Sequence, residues 1–210
     1  MYYQNPQLLF GTPLDPVFNG VTQAWPLSEQ ENKMRRGVLS TSNDLLPINV
    51  TLLSGRSKVS GGNNSYMAGP ADGIHVGTNT SFTWCFTIKP STLPAGNYDV
   101  LGVGDGVFGG NAEYRIYMSG SSIYFRLYSN TTTTTVSAAL TAGTEYIVFM
   151  VYDSVNQQIS IKTTASAPTT AAHTYGCRAM YGALTVGNSC GAPFIPTFAP
   201  ITTTSINSSM

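Results

Sequence analysis

Charged residues are scarce in this chain: they make up 10% of its 210 residues, against about 25% in an average globular domain. Ten basic and ten acidic residues cancel, and the one dense basic cluster, at 33–36, follows Glu29 and Glu31. Because a nucleic-acid surface needs an excess of Lys and Arg, the composition argues against nucleic-acid binding. A surface of Ser, Thr, Asn, Gly and Tyr favours contacts with proteins or sugars.

Long apolar segments and an export signal are also lacking. No stretch approaches the about 18 apolar residues of a membrane-spanning helix, so no insertion into a membrane is expected. The first residues contain no basic segment followed by an apolar run, which a secretory signal requires. We therefore expect synthesis in a cytoplasm without export by the general secretory route.

Cysteine is rare and irregularly spaced. Cys85, Cys177 and Cys190 are an odd number without CxxC spacing, which argues against a disulfide framework and against a zinc site. Free thiols, buried or half-buried, are the expectation. A disulfide between Cys177 and Cys190, across the strand predicted at 183–186, is the alternative.

Catalytic groupings are missing as well. No two acidic residues fall at i and i+2 on a predicted strand, and Glu113, Glu145 and Asp153 lie singly at strand ends or turns. Glycoside hydrolysis needs two carboxyl groups about 5–9 Å apart. His75 and His173 are not accompanied by a G-x-S-x-G motif. The sequence therefore predicts a protein that is not an enzyme, and no cofactor.

Short segments with a two-residue period fill the middle of the chain. Apolar and polar side chains alternate in Phe82–Ile88, and two such segments, Tyr114–Met118 and Ile123–Tyr128, flank a loop whose Gly120 can take a positive φ. Tyr146–Tyr152 is apolar on both faces, which predicts a central strand covered on both sides. Because no helical period is present, the prediction is all-β, with two antiparallel sheets packed face to face.

The segments around this region are less regular. A first strand is expected within Val21–Leu27, with Trp25 pointing inward, and a short one at Gly73–Val76. Ser54–Ser65 is rich in Gly, Ser and Asn, which predicts a loop. The Thr131–Thr135 run is either an exposed edge strand or a loop.

The order of these segments resembles the concanavalin A-like, laminin-G-like jelly roll. The residues that carry the resemblance are AWPL at 24–27, GIHV at 73–76, SFTWCFTIKP at 81–90, the turn at 104–106, the hairpin at 114–130, LTAGTEYIVFMVYD at 140–153 and GALTVGNS at 182–189. The resemblance implies a two-sheet antiparallel sandwich at residues 21–206 and leaves residues 1–20 as an extended N-terminal arm.

The chain departs from that family in its tail. Relatives usually continue with a strand that returns alongside the first strand, whereas residues 191–200 here contain three prolines. Proline cannot donate to a strand ladder. Either Ala199–Ile206 is a degenerate last strand, or a neighbouring subunit or the N-terminal arm completes the sheet.

A calcium site is one implication of the resemblance, since many relatives hold Ca²⁺ at the rim of a sheet. The matching side chains in Gly-rich turns are Asp72, Asp105, Asn111 and Asn188. Asp and Asn also build turns without a metal, and a calcium site normally needs two or more carboxylates. Turns without metal are the prediction, and a calcium site is the alternative.

One polar and aromatic patch is a candidate site for a glycan or a protein partner. It comprises Arg115, Tyr117, Tyr124, Arg126 and Tyr128. Sugar binding needs an aromatic ring with hydrogen-bonding groups beside it. The alternative is that these tyrosines pack beneath a loop or a subunit with only their hydroxyls in water.

The N-terminal arm is apolar, and its candidate assembly residues are Tyr2, Tyr3, Leu8, Leu9 and Phe10. Such an arm should pack on its own domain or on a neighbouring subunit. Because domains resembling this one occur in phage virions, our first hypothesis is a non-enzymatic structural or adhesion component of a virus particle. A head decoration, a fibre or a tail-adhesion module would fit.

That hypothesis implies other virion proteins as partners, a homo-oligomer, and a location in the virion after synthesis in the host cytoplasm. The alternative hypothesis is a carbohydrate-binding, lectin-like module that recognises a cell-surface glycan. The two are compatible, because a virion module can also bind host glycans.

Overall fold

The computed structural model describes residues 79–104, 112–129, 132–174 and 176, and the strands at 21–25, 46–48, 51–53, 56–59, 66–68, 183–186 and 201–209. Within these residues there are fifteen strands and no helix. In chain order the strands are β1 (Val21–Trp25), β2 (Leu46–Ile48), β3 (Thr51–Leu53), β4 (Arg56–Val59), β5 (Tyr66–Ala68), β6 (Phe82–Pro90), β7 (Tyr98–Gly104), β8 (Ala112–Ser119), β9 (Ser122–Tyr128), β10 (Thr133–Ala139), β11 (Tyr146–Asp153), β12 (Gln158–Thr163), β13 (Thr169–Ala172), β14 (Ala183–Val186) and β15 (Ile201–Ser209).

The strands form two antiparallel sheets, which confirms the predicted fold class. The first sheet has the order β13-β12-β11-β6-β15-β4-β3, with β1 also paired to β15. The second sheet has the order β10-β9-β8-β7-β14-β5-β2. The long strands β6 and β11 are thus central in the first sheet, and in the second sheet β9 lies between the edge strand β10 and β8.

The core lies between the two sheets and is rich in aromatic side chains. Phe82 of β6 has its ring centroid 5.4 Å from that of Tyr114 in β8 and 5.8 Å from that of Tyr152 in β11, so one side chain contacts both sheets. Full burial of each such side chain contributes roughly 1.5–3 kcal/mol to stability. The alternation predicted for β6 is confirmed, because its apolar residues all point into this core: Phe82, Trp84, Phe86 and Ile88.

Strand β11 is central, as predicted, but the described residues leave its second face partly exposed. It lies between β12 and β6, and its outward side chains Ile147 and Phe149 are 39% and 38% exposed. The expectation of cover on both sides was therefore wrong for this strand. An apolar sequence shows that a strand tolerates burial on both faces, whereas the cover itself depends on other segments.

Two tight turns join neighbouring strands, and the first is the Gly120 loop predicted from the sequence. Ser119 pairs with Ser122, and Gly120 between them has a φ of 56°, a backbone conformation that glycine adopts without strain. In the β11–β12 turn, the Asp153 carboxylate accepts hydrogen bonds from the Asn156 and Val155 backbone N–H groups, both at 3.0 Å. The bonds from Asn156 and Val155 hold the pKa of Asp153 below its usual value.

Two peripheral segments form strands, one in a region predicted to be a loop and one in the C-terminal tail. Arg56–Val59 forms β4 within the region predicted to be a loop, because β3 and β15 supply its hydrogen-bonding partners. For such short polar segments, the presence of hydrogen-bonding partner strands determines whether a strand forms more strongly than intrinsic β-propensity does. Ile201–Ser209 pairs with β6, β4 and β1, so the tail does contain a last strand. Residues 73–76 and the side chain of Trp25 lie outside the described residues.

Among the described residues, no helix is both long and apolar enough to cross a membrane.

Candidate functional site

All five side chains of the predicted patch lie on the outer face of the second sheet. Ile123, Phe125 and Leu127 of β9 point into the core, so the residues between them point outward. The strand register aligns the outward residues in three cross-strand rows. These rows are Asp99–Tyr117–Tyr124–Ser137, Gly102–Arg115–Arg126–Thr135 and Tyr128–Thr133.

Tyr117 and Tyr124 form a stacked pair across β8 and β9. Their ring centroids are 4.9 Å apart and the ring planes differ by 9°. Such an aromatic pair contributes about 0.5–1.5 kcal/mol beyond the area it buries. Since Tyr117 is only 5% exposed, it serves as the fixed support on which the half-buried ring of Tyr124 rests.

Arg126 is held by several neighbours on the same face. Its Nη2 donates a hydrogen bond to the Tyr117 hydroxyl at 2.9 Å, and its Nε donates to Thr135 Oγ1 at 3.2 Å. The Tyr128 hydroxyl is a further hydrogen-bonding partner. The guanidinium carbon also lies 5.1 Å from the centroid of the Tyr117 ring. These contacts fix the orientation of a side chain that would otherwise sample many rotamers.

Arg115 is in a different electrostatic environment. Its Nε forms a buried ion pair with the Asp99 carboxylate of β7, and its guanidinium carbon lies 4.8 Å from the Tyr117 ring centroid. Burial raises the pKa of Asp99, while the hydrogen bond and charge of Arg115 act in the opposite direction. The Arg115 charge is thus compensated within the protein.

On the outer face of the second sheet, the patch residues of β7 and β8 are buried, whereas those of β9 and β10 are accessible to solvent. Arg115 and Tyr117 of β8 are each 5% exposed, and Asp99 of β7 is 3% exposed. Tyr124 and Arg126 of β9 are half-buried, and Thr135 of β10 is exposed. A ligand could therefore touch the β9 and β10 half of the patch, while the β7 and β8 half lies beside it in the same sheet and holds its side chains in place. We call the group Tyr124, Arg126, Tyr128 and Thr135 the open patch.

Sequence reasoning missed two members of this network. Asp99 follows Tyr98 at the start of β7, ahead of a register shift between Asp99 and Leu101, so simple alternation does not assign its face. Thr135 belongs to the run left open as either an edge strand or a loop. It lies in the edge strand β10, opposite Arg126. The signal for Thr135 was its two-residue spacing from Thr133, which also points outward.

His173 lies outside the patch, between the edges of the two sheets. His173 is buried, with Nδ1 2.7 Å from Thr134 Oγ1 and Nε2 3.0 Å from the Gly176 carbonyl oxygen. Because a carbonyl only accepts, Nε2 carries the proton and Nδ1 accepts from the Thr134 hydroxyl. Burial lowers the pKa of His173. This ring links the end of β13 to β10, so its role is to join the two sheets.

The remaining predicted residues fall largely outside the described part of the chain. These are the arm residues Tyr2, Tyr3, Leu8, Leu9 and Phe10, the calcium candidates Asp72, Asp105, Asn111 and Asn188, and Cys177 and Cys190. Within the described residues, no three His, Cys, Asp or Glu side chains are grouped so as to hold a metal. Cys85 is a free, half-buried thiol, as expected, and burial raises its pKa.

Comparisons with known proteins establish the fold and nothing finer. No family model matches the chain. No curated protein sequence matches it either. Several solved structures do match. The binding domain of Paraclostridial mosquitocidal protein 1 has a TM-score of 0.71 at 9% identity, with 91% of this chain and 49% of that chain covered.

Two other matches are a protein in complex with a sugar and an enzyme. The ligand-binding domain of botulinum neurotoxin serotype D in complex with N-acetylneuraminic acid has a TM-score of 0.70 at 8% identity, covering 91% of this chain and 47% of that chain. Trypanosoma rangeli sialidase has a TM-score of 0.66 at 15% identity, covering 91% and 30%. The chain thus spans less than half the length of each of these three proteins, and at such identities the likeness concerns the β-sandwich alone.

Proposed function

We propose that the protein is a carbohydrate-binding, lectin-like module whose ligand lies on the open patch. The observation that carries this proposal is the half-buried Tyr124 ring, stacked on the buried Tyr117 ring with Arg126 held beside it. An aromatic face next to oriented donors is the combination that binds a sugar ring, which has one apolar face and a rim of hydroxyls.

Preorganisation is the physical reason why this patch should bind rather than only pack. Ordering a rotamer-rich side chain on binding costs about 0.5–1.5 kcal/mol, and here Arg126 is already ordered by Tyr117 and Thr135. Among the described residues, no hydrogen bond occupies the Tyr124 hydroxyl. That hydroxyl and the exposed Thr135 remain available to sugar hydroxyls.

The solved-structure likeness is consistent with this proposal. One matching protein is a ligand-binding domain whose structure contains N-acetylneuraminic acid, but less than half of that protein is matched. Two of the described carboxylates have partners within the protein, since Asp99 is paired with Arg115 and Asp153 is engaged in its own turn.

A glycan array probed with the wild-type chain and with Tyr124→Ala tests the proposal. We expect glycan signals that fall at least ~10-fold in the variant, because stacking on an aromatic ring and hydrogen bonds to it are lost together. Phe149→Ala is the matched control, since Phe149 is an outward aromatic residue on the other sheet. Equal loss in both variants, or no glycan signal with the wild-type chain, would contradict the proposal.

The structural role in a virus particle stays a prediction. None of the solved structures named above is a virion protein, and the apolar arm lies outside the described residues. The virion location, the finer assignment to a concanavalin A-like or laminin-G-like domain and the homo-oligomeric state stay predictions with it. A glycan-binding module remains compatible with such a role.

A further inference from the structure

We propose that the ligand of the open patch is an acidic sugar, and that its carboxylate binds the Arg126 guanidinium. This inference rests on the proposed function and adds the chemical class of the ligand. It starts from the difference between the two arginines that lie opposite each other in the register, Arg115 and Arg126.

The charges on this face do not balance within the described residues. Arg115 is paired with Asp99, whereas the hydrogen bonds of Arg126 go to the hydroxyls of Tyr117, Thr135 and Tyr128. Among the side chains that the structure describes on this face, two guanidinium groups and one carboxylate leave one positive charge, and that charge is on the half-buried, open side. A hydroxyl orients a guanidinium but does not neutralise it.

The geometry of Arg126 suits a carboxylate. A guanidinium carries five N–H donors in a planar fork that matches the two oxygens of a carboxylate. Thr135, Tyr117 and Tyr128 engage three of these donors, so two donors remain for an external acceptor. Partial burial strengthens such a charge-assisted pair relative to one in bulk water.

Tyr124 and Arg126 are placed for one ligand to use both. They are two residues apart on β9, which corresponds to about 7 Å along the strand, and both point outward. A single sugar ring stacked on Tyr124 can span that distance with a carboxyl substituent directed at Arg126. A neutral sugar would fill the same place without compensating the charge.

The test compares acidic glycans with the same glycans after their carboxyl groups are converted to carboxamides. Amidation removes the charge and keeps the size, and it leaves sulfated and neutral glycans unchanged. We expect amidation to lower binding to the wild-type chain about 10–100-fold, the range for a hydrogen bond to a charged group. We also expect added salt to weaken only the binding of the unmodified acidic form.

Variants assign the effect to Arg126. Arg126→Gln should bind the acidic and amidated forms equally, and Arg126→Lys should retain part of the preference because it keeps the charge but loses the fork. Lys162→Gln is the matched control, since Lys162 is exposed on the outward face of the other sheet. Thermal unfolding of each variant checks that the fold is retained.

The outcomes separate this inference from the proposed function. Tyr124-dependent binding that is unaffected by amidation, or that is confined to sulfated or neutral glycans, overturns the acidic-sugar inference and leaves the carbohydrate-binding proposal intact. A preference for the acidic form that persists in Arg126→Gln overturns the role of Arg126. Absence of any Tyr124-dependent glycan binding overturns both.

Discussion

Tyr117 is the side chain around which the candidate site is organised. Its ring stacks on Tyr124 and lies near the guanidinium groups of Arg115 and Arg126. A cation near an aromatic face contributes about 0.5–1 kcal/mol when exposed and about 2 when desolvated. Because Tyr117 is buried, it belongs to the support of the patch, and the residues available to a ligand are its partners on β9.

His173 gives the clearest residue-scale prediction, a pH dependence of stability. Burial lowers its folded-state pKa below the ordinary value of about 6.5. As pH falls, the unfolded chain therefore takes up the proton first, and the unfolded state is favoured. The stability contributed by neutral His173 is fully present above the ordinary value and is lost as pH falls through the lowered pKa.

Urea unfolding at about pH 7.5 and about pH 5 measures this effect. We expect a lower free energy of unfolding at the acidic pH, and a smaller difference between the two pH values in His173→Gln. The chain has two histidines, so His75→Gln is the matched control and should keep the wild-type difference. A pH dependence that follows His75 instead would contradict the assignment to His173.

At the scale of elements, β11 is a strand with one face in the core and the other face partly in solvent. Val148 and Met150 point into the core and are fully buried, whereas Ile147 and Phe149 point outward and are partly exposed. Every second residue of this strand therefore meets solvent, although the sequence is apolar throughout. The pattern of exposure follows from the pleat of the strand and from which face receives the second sheet.

Truncation of neighbouring β11 side chains tests these two faces. Met150→Ala should lower the free energy of unfolding by about 2–5 kcal/mol, because it leaves a cavity in a packed core. Phe149→Ala should cost less, since its side chain is already 38% exposed and its removal leaves no closed cavity. Urea unfolding of both variants gives the comparison, and a larger loss for Phe149→Ala would mean that the outward face is covered in solution.

At the scale of the whole molecule, the assembly hypothesis depends on residues 1–20. The first described strand, β1, begins at Val21 and pairs with β15, so a variant lacking residues 1–20 retains all described strands. If the arm docks on a neighbouring subunit, the full chain should form a defined oligomer and the variant should be a folded monomer. Light scattering measures both masses, and circular dichroism checks the fold. A monomer in both cases would remove the support for self-assembly through this arm.

The local sequence was sufficient to predict the strands that form the centre of the sandwich. Alternation identified β6 and β9, and the Gly120 loop identified the β8–β9 hairpin. In a hairpin with so short a loop, the turn sets the register, and the register sets which side chains share a face. For this reason the five patch residues could be assigned to one face from sequence alone.

Only the tertiary structure decided which part of that face a ligand can reach. The Asp99–Arg115 pair, the contact of Thr135 with Arg126 and the burial of Tyr117 all depend on how β7 and β10 pair with the hairpin. The same is true of β4 and β15, whose short or atypical sequences form strands because distant segments complete their ladders. Side-chain periodicity is a property of neighbouring residues and can be read locally, whereas burial and charge compensation are set by segments far apart in the chain. The sequence thus determined the fold class and the face that carries the patch, and the tertiary structure determined that Tyr124, Arg126 and Tyr128 are the accessible members of the five predicted residues.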